Sequence, residues 1–331
     1  MKFYFAPMEG MGRYIYRNAY NKYFHHIDKY FSPFLSTSSS GVLKMKEFKD
    51  IIPENNSGIY LVPQLLGNKA DDFVMAAREV SNLGYDEINI NIGCPSGTVT
   101  AKNKGAGMLR DLDSLDRCLD GIYNGINQSN PNLKISIKTR TGYFSHDEFS
   151  EILEVYEKYP VYELIIHPRT RQDYYRENVN LDSFQYAVSH CEFPLCYNGD
   201  IVNVDSYKNI CNRFPDINTV MIGRGLLSRP TLVEEILSNT DCHSNQKGIS
   251  KFTSKEAKEK IIGMHNVLYR EYTDALDGER NIMFKMKEIW LYLIISFEDS
   301  ERYAKKIKKS KNLHEFESII SDIERHGIYI I

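Results

Sequence analysis

A (β/α)8 TIM barrel followed by a small C-terminal helical-bundle domain is the fold class this sequence predicts. Three observations predict it. Eight short apolar runs recur, most of them separated by helix-length polar or amphipathic stretches. Polar residues gather at the C-terminal ends of those runs, the edge where barrels of this type carry their chemistry. From about residue 240 onward the strand signal stops and helical periodicity takes over.

The expected strands are Lys2–Met8, Lys29–Ser36, Ile59–Leu66, Glu87–Ile92, Lys134–Arg140, Val161–His167, Pro194–Asn198 and Thr219–Gly223. Glu87 to Ile92 alternates polar and apolar residues, the pattern of a half-exposed strand. Between the strands, 71–83 places Phe73, Ala76, Ala77, Val80 and Leu83 on one helical face, and 112–126 is a second helix. The stretch between the second and third strands is short and poorly periodic. A doubly wound open sheet is the rival architecture, but it calls for a glycine-rich phosphate loop after the first strand. Gly10 and Gly12 stand there without a third glycine.

The division expected is a barrel over 1–240, a polar linker over 241–253 and a helical domain over 254–331. In the tail, Ile261, Ile262, His265, Leu268, Tyr269 and Tyr272 form one apolar stripe. Ile282, Met283, Met286, Ile289, Trp290 and Leu293 form another. Both read as seams of a helical bundle, leaving charged faces for a partner.

Bulk properties narrow the class. The 331 residues are 42% hydrophobic and 26% charged, ordinary for a globular chain. No apolar stretch approaches the ~20 residues that span a bilayer, and the N-terminal run is too short before Pro7 to be a signal peptide. Six cysteines without CxxC pairs argue against a zinc site or a disulfide framework and fit a reducing cytoplasm. The net charge of −3 gives no general reason to expect nucleic acid. Its distribution is uneven, however: residues 245–331 carry 16 Lys and Arg against 14 Asp and Glu, with a basic run over 305–311.

The barrel edge offers, in order, Pro7, Met8 and Glu9; Gln64; Asn91 and Cys94; Lys138 and Arg140; His167 and Arg169; Asn198, Gly199 and Asp200; Gly223 and Arg224. Each alone has an ordinary explanation, a surface lysine or a core histidine for instance. Together they form a ring of polar groups that a purely structural edge does not need. Glycines and an arginine at the ends of the seventh and eighth strands suit a phosphate. Lys138 and Gln64, further in, suit a flat heteroaromatic ring. A phosphate and such a ring together describe flavin mononucleotide better than a sugar phosphate. Cys94, at a strand end between Gly93 and Pro95, is placed as a reagent.

Several of these stretches, in this order and spacing, resemble the tRNA-dihydrouridine synthases. They are Ala6-Pro7-Met8-Glu9-Gly10, Gln64-Leu65-Leu66-Gly67, Asn91-Ile92-Gly93-Cys94-Pro95-Ser96 and Lys104-Gly105-Ala106-Gly107-Met108-Leu109. Further along come Lys138-Thr139-Arg140-Thr141-Gly142, Ile166-His167-Pro168-Arg169-Thr170, Asn198-Gly199-Asp200 and Met221-Ile222-Gly223-Arg224-Gly225. The tail resembles the family's tRNA-binding domain. Its Lys287-Glu288-Ile289-Trp290-Leu291-Tyr292-Leu293 inclines the resemblance toward the subgroup acting on uridine 16.

The resemblance implies reduction of the C5=C6 bond of a tRNA uridine by reduced FMN, recharged by NADPH. It makes Cys94 the acid that protonates C5 and Asn91 the holder of the uracil edge. Lys138, Gln64 and His167 become flavin contacts, with Pro7 and Met8 packed nearby. Asn198, Gly199, Asp200, Gly223 and Arg224 surround the phosphate. Arg140, Arg169 and Arg171 face the substrate. A cytoplasmic monomer with tRNA as its partner is expected. Pro168 departs from the family's usual glycine and removes a backbone N–H. Two other readings stay open: a flavin oxidoreductase acting on a free small molecule such as a pyrimidine, which needs no helical tail, and a tRNA-binding protein without flavin, which needs neither Cys94 nor Lys138.

Overall fold

The computed structural model describes residues 1–41, 43–239 and 253–330. Ten parallel strands form one sheet: β1 (Lys2–Phe5), β2 (Lys29–Phe31), β3 (Leu35–Ser36), β4 (Leu61–Val62), β5 (Gln64–Leu66), β6 (Glu87–Ile92), β7 (Lys134–Arg140), β8 (Leu164–His167), β9 (Leu195–Tyr197) and β10 (Thr219–Ile222). Their order is β3-β5-β6-β7-β8-β9-β10-β1-β2-β4. The second and third expected strands are each broken in two, at Pro33 and Pro63, because proline has no N–H to give the ladder. Both halves pair with the same neighbour, β2 with β4 and β3 with β5. The ten segments therefore follow eight strand paths, and those paths close into a ring, as the (β/α)8 reading expects.

Several expected bounds shift by a few residues where the chain turns away from the ladder. The first strand ends at Phe5, and Met8 O instead accepts turn hydrogen bonds from the N–H groups of Met11 and Gly12. The helix expected over 71–83 is Ala70–Asn82, with Leu83 as its half-buried cap, and that over 112–126 extends to Ser129. The poorly periodic stretch after the second strand holds a seven-residue helix, Met45–Ile51, and a 3-10 turn, Pro53–Asn55.

One larger difference concerns β6. All six of its residues are buried. Period-two alternation shows that two faces differ, not that one of them meets water. Here the apolar face, Ile88, Ile90 and Ile92, is fully buried, and Glu87, Asn89 and Asn91 are buried on the other. Register aligns Gln64, Asn89 and Ser136 on adjacent strands, then Asn91 with Lys138 and Arg140 with His167. Tyr4, Ala6, Phe31, Val62, Ile165, Cys196 and Met221 form a buried apolar cluster, with Met8 packed against it.

Near the N-terminal ends of the strands Lys29 is held by Glu87 at 2.7 Å and Glu163 at 3.7 Å. The rings of Tyr4, Tyr60 and Tyr162 lie 5.0–5.8 Å from its ammonium. Burial holds the Glu163 carboxyl above its ordinary range, with Lys29 the principal opposing influence.

The chain divides into two compact units, residues 1–12, 28–199 and 214–221 in one, and 13–27, 200–213 and 222–331 in the other. The expected linker over 241–253 lies outside the described residues except for Thr253. Thr253 caps the helix Ser254–Ala275 in a capping box with Glu256. In this second unit both expected stripes are buried, apart from a half-buried Tyr269. Trp290 Nε1 donates to His265 Nδ1 at 2.9 Å. Lys287 donates to the carbonyls of Lys308 and Ser310 at the end of helix Ser300–Lys309, where the helix dipole favours a cation.

Removing Lys29 leaves two buried carboxylates without their cation, so Lys29→Ala is expected to destabilise the protein by about 3–5 kcal/mol. Lys134→Ala, which breaks an exposed pair with Asp86, is expected to cost under about 1 kcal/mol. Urea unfolding of the two variants checks the contrast.

Candidate active site

Cys94 lies two residues beyond the end of β6. Its turn is set by one side chain: Asn91 Oδ1 accepts the backbone N–H of Gly93 at 3.0 Å and of Cys94 at 2.9 Å. The same Asn91 donates through Nδ2 to Gln64 Oε1 at 2.7 Å. From the other side the segment after the short helix Gly97–Thr100 packs back on the cysteine. Ala106 N–H donates to Cys94 O at 3.1 Å, and Gly105 sits at φ +56° with no room for a side chain. A Cβ there would lie 2.9 Å from both Cys94 Cβ and Cys94 O.

Two opposite shifts share one cause. Burial pushes the Cys94 thiol above its usual range, against weaker pulls from the Ser96 backbone, Arg140 and Lys138. Burial also pulls the Lys138 ammonium down, to about 8, with the Arg140 charge adding to it. At neutral pH the site thus holds a neutral thiol and a cation. Among the described residues the Lys138 side-chain ammonium makes no hydrogen bond or ion pair, although its backbone is paired in the sheet. A desolvated ammonium of that kind fits an electron-rich, polar-edged ring, and Gln64 retains one N–H and one lone pair for it. These features suit a flavin.

The arginines are placed differently from one another. Arg140 is 1% exposed and clamps three carbonyls, Gly93 O (2.9 Å), Thr170 O (2.6 Å) and Tyr174 O (2.7 Å). It ties the Cys94 turn to the loop after β8, and its guanidinium also lies over the exposed Tyr175 ring. Arg169 is also buried, donating to Glu177 O at 2.6 Å and facing His167 Nε2 at 2.9 Å. A guanidinium only donates, so Nε2 is bare and the ring proton sits on Nδ1. Arg171 is half-buried between the rings of Tyr143 and Tyr174 and reaches Thr100 Oγ1 at 3.3 Å.

Pro7 and Met8 are half-buried at the end of β1. Asn198 Nδ2 donates to Met221 O at 2.8 Å, and a Cβ on Gly199 would meet Val179 Cγ1 at 2.8 Å. Asp200, Gly223 and Arg224 belong to the second unit. There Arg224 Nη2 donates to Asp200 Oδ1 at 2.9 Å, and Gly223 precedes helix Arg224–Ser228. Sequence reasoning missed Gly105 as the residue seated against Cys94. It also missed Asn89 and Ser136, the buried partners of Gln64; the polar alternation of β6 was the one available signal.

The dihydrouridine synthase family model matches residues 4–324. The tRNA-dihydrouridine(16) synthase of Haemophilus ducreyi is 30% identical over 244 residues, covering 71% of this chain and 72% of that protein. The protein of the same name from Yersinia pestis is 27% identical over 316 residues, 88% of this chain and 98% of that one. Among solved structures, a 2-naphthoyl-CoA reductase superposes with a TM-score of 0.54 at 11% identity, over 71% of this chain and 49% of that one. An old yellow enzyme from Trypanosoma cruzi gives 0.50 at 9% identity, over 74% and 90%. These two share the fold.

Gly105→Ala is expected to cost roughly 1–2 kcal/mol from the left-handed backbone alone. It is also expected to change the alkylation rate of Cys94 several-fold, through the clash with its Cβ. Gly58→Ala is the control, since Gly58 has φ +84° with nothing within 4 Å of the added carbon. It should show the strain without the change in thiol reactivity, read by mass spectrometry.

Proposed function

The chain belongs to the dihydrouridine synthase family, and from that premise we propose that it reduces the C5=C6 bond of one uridine in tRNA, with Cys94 as the proton donor. The observation that carries this reading is geometric: Asn91, in register with Lys138, fixes the turn that presents Cys94, so that a thiol and an ammonium without a protein partner stand at the same strand edge. When bound, reduced FMN supplies the hydride for C6, and NADPH is the proposed source of its electrons.

The residues then divide the work. Cys94 holds a proton on Sγ for C5 and takes one back from solvent after the transfer. Asn91 fixes the turn that presents the thiol and keeps one N–H for the uracil edge. Lys138, Gln64 and His167 line the flavin ring, with Pro7 and Met8 alongside. Asn198, Gly199, Asp200, Gly223 and Arg224 are assigned to the phosphate on their sequence pattern. Arg140 and Arg169, whose visible donors go to protein acceptors, act on the substrate by shaping the loops around it. Arg171, half-buried beside Tyr143 and Tyr174, is the arginine assigned to contact the substrate. The target base leaves its stack to enter, as for other enzymes that act on a base.

In the second unit Lys305, Lys308, Lys309 and Lys311 are exposed and make no ion pair among the described residues. Their proposed role is contact with tRNA phosphates, which makes binding sensitive to salt. The relatives' names favour uridine 16 as the position, and the cytoplasm is the proposed compartment. Among the described residues no helix is long and apolar enough to cross a membrane.

Dihydrouridine mapping of tRNA from a strain lacking this gene tests the reading. Loss at one position, restored by the wild-type gene and not by Cys94→Ala, is the expected result. Unchanged dihydrouridine, with no redundant enzyme present, contradicts it. The pH dependence is a second expectation. Lys138 loses its charge as pH rises through about 8, whereas the thiol, pushed above its usual value, is still protonated there. In pre-reduced enzyme, uridine reduction should therefore fall on a basic limb at or above about pH 8. Lys138→Arg should move that limb upward. A limb near pH 7 that ignores this substitution contradicts the assignment.

A further inference from the structure

A buried chain of hydrogen bonds runs along β6 from the Lys29–Glu87 ion pair to the Cys94 turn, and every link has only one possible direction. Glu87, paired with Lys29 at 2.7 Å, can only accept. Ser136 Oγ lies 3.0 Å from Glu87 Oε1 and 3.2 Å from Ile88 O, both pure acceptors, so its one proton is spent there. Its lone pairs then face Asn89, which must present Nδ2, at 3.0 Å. Asn89 Oδ1 accepts from Gln64 Nε2 at 2.7 Å, and Gln64 Oε1 accepts from Asn91 Nδ2 at 2.7 Å. Asn91 Oδ1 is left for the two backbone N–H groups of Gly93 and Cys94, which can only donate.

The two ends agree. An acceptor-only carboxylate at one end and donor-only amides at the other both require the same orientation of all three side-chain amides. Flipping any one sets oxygen against oxygen on one side and N–H against N–H on the other. Glu87, Asn89, Gln64 and Ser136 are each no more than 1% exposed and Asn91 is 7% exposed, so water is poorly placed to relieve such a mismatch.

We infer that Glu87, Ser136 and Asn89 are positioning residues, which fix the amide orientation of Gln64 and Asn91 and, through Asn91, the turn that presents Cys94. They act from below the substrate and need touch neither it nor the cofactor. Gln64 is thereby left with one N–H and one lone pair, and Asn91 with one N–H. The catalytic consequence rests on the roles proposed above for Cys94 and Gln64; the geometric part does not.

Ser136→Ala removes one link, Ser136→Thr keeps the hydroxyl, and the isosteric Glu87→Gln removes the acceptor-only end. Two measurements on the full-length FMN-loaded protein decide the matter. The first is hydrogen exchange by NMR at the Gln64 and Asn91 side-chain amides and the Gly93 and Cys94 backbone amides. Ser136→Ala and Glu87→Gln should lower protection there at least ten-fold relative to the amides of β8 and β9. Ser136→Thr should restore it. A uniform loss across the barrel, or no loss at the four residues, overturns the inference, since a merely structural role predicts one or the other.

The second measurement is steady-state dihydrouridine formation. Ser136→Ala should lower kcat about ten-fold with KM for tRNA changed less than three-fold, and Ser136→Thr should recover most of it. An unchanged kcat overturns the catalytic part. If the wild-type protein forms no dihydrouridine, the proposed function fails by itself, and the exchange data still decide the positioning role.

Discussion

Lys29 and Glu87 meet at 2.7 Å near the N-terminal ends of the strands, and much of the polar interior depends on that contact. Without its cation the carboxylate would be costly to bury beside Glu163, whose own carboxyl burial already holds above its usual range. With it, Glu87 anchors a directed series of buried amides that ends at the backbone of Cys94. A barrel interior filled only with the Tyr4, Phe31, Val62 and Ile165 cluster would pack well. It would leave Gln64 and Asn91 free to turn over. The polar column makes the position of the reactive turn a property of the fold.

The same burial sets the charge states. Desolvation disfavours whichever form is charged, so it raises a thiol and lowers an ammonium. Cys94 stays protonated, and the Lys138 ammonium becomes a stronger acid than that of an exposed lysine, with a value of about 8. In the proposed reaction a proton donor and a cation must coexist at neutral pH: the raised thiol keeps its proton there, and the lysine, lowered only to about 8, is still mostly charged. Arg140 contributes from the side. Its three carbonyl contacts bind the Cys94 turn to the loop after β8, and its charge lowers Lys138 further.

Much of this was legible in the residues. The eight strand paths, the polar edge and the two tail stripes follow from periodicity, which depends on neighbours along the chain. What escaped depends on neighbours across it. The breaks at Pro33 and Pro63 follow from a missing donor, but that both halves keep one neighbour is a matter of register. Glu87, Asn89 and Asn91 looked solvent-facing, because alternation does not reveal that a polar face can be satisfied inside a barrel. Gly105 reads as one glycine among several until the 2.9 Å approach to Cys94 is seen. Arg140 suggested a substrate contact, and its acceptors at residues 93, 170 and 174 are brought to it only by the closed ring.

The most direct test of the account is an anaerobic single turnover of purified, FMN-loaded, pre-reduced protein with an unmodified tRNA transcript. The account predicts flavin reoxidation that requires the RNA, matched one for one by dihydrouridine at a single position. It also predicts that Cys94→Ala reaches the reduced state normally and then stalls. Reoxidation by free uridine or another small pyrimidine, with the transcript left unchanged, would contradict it.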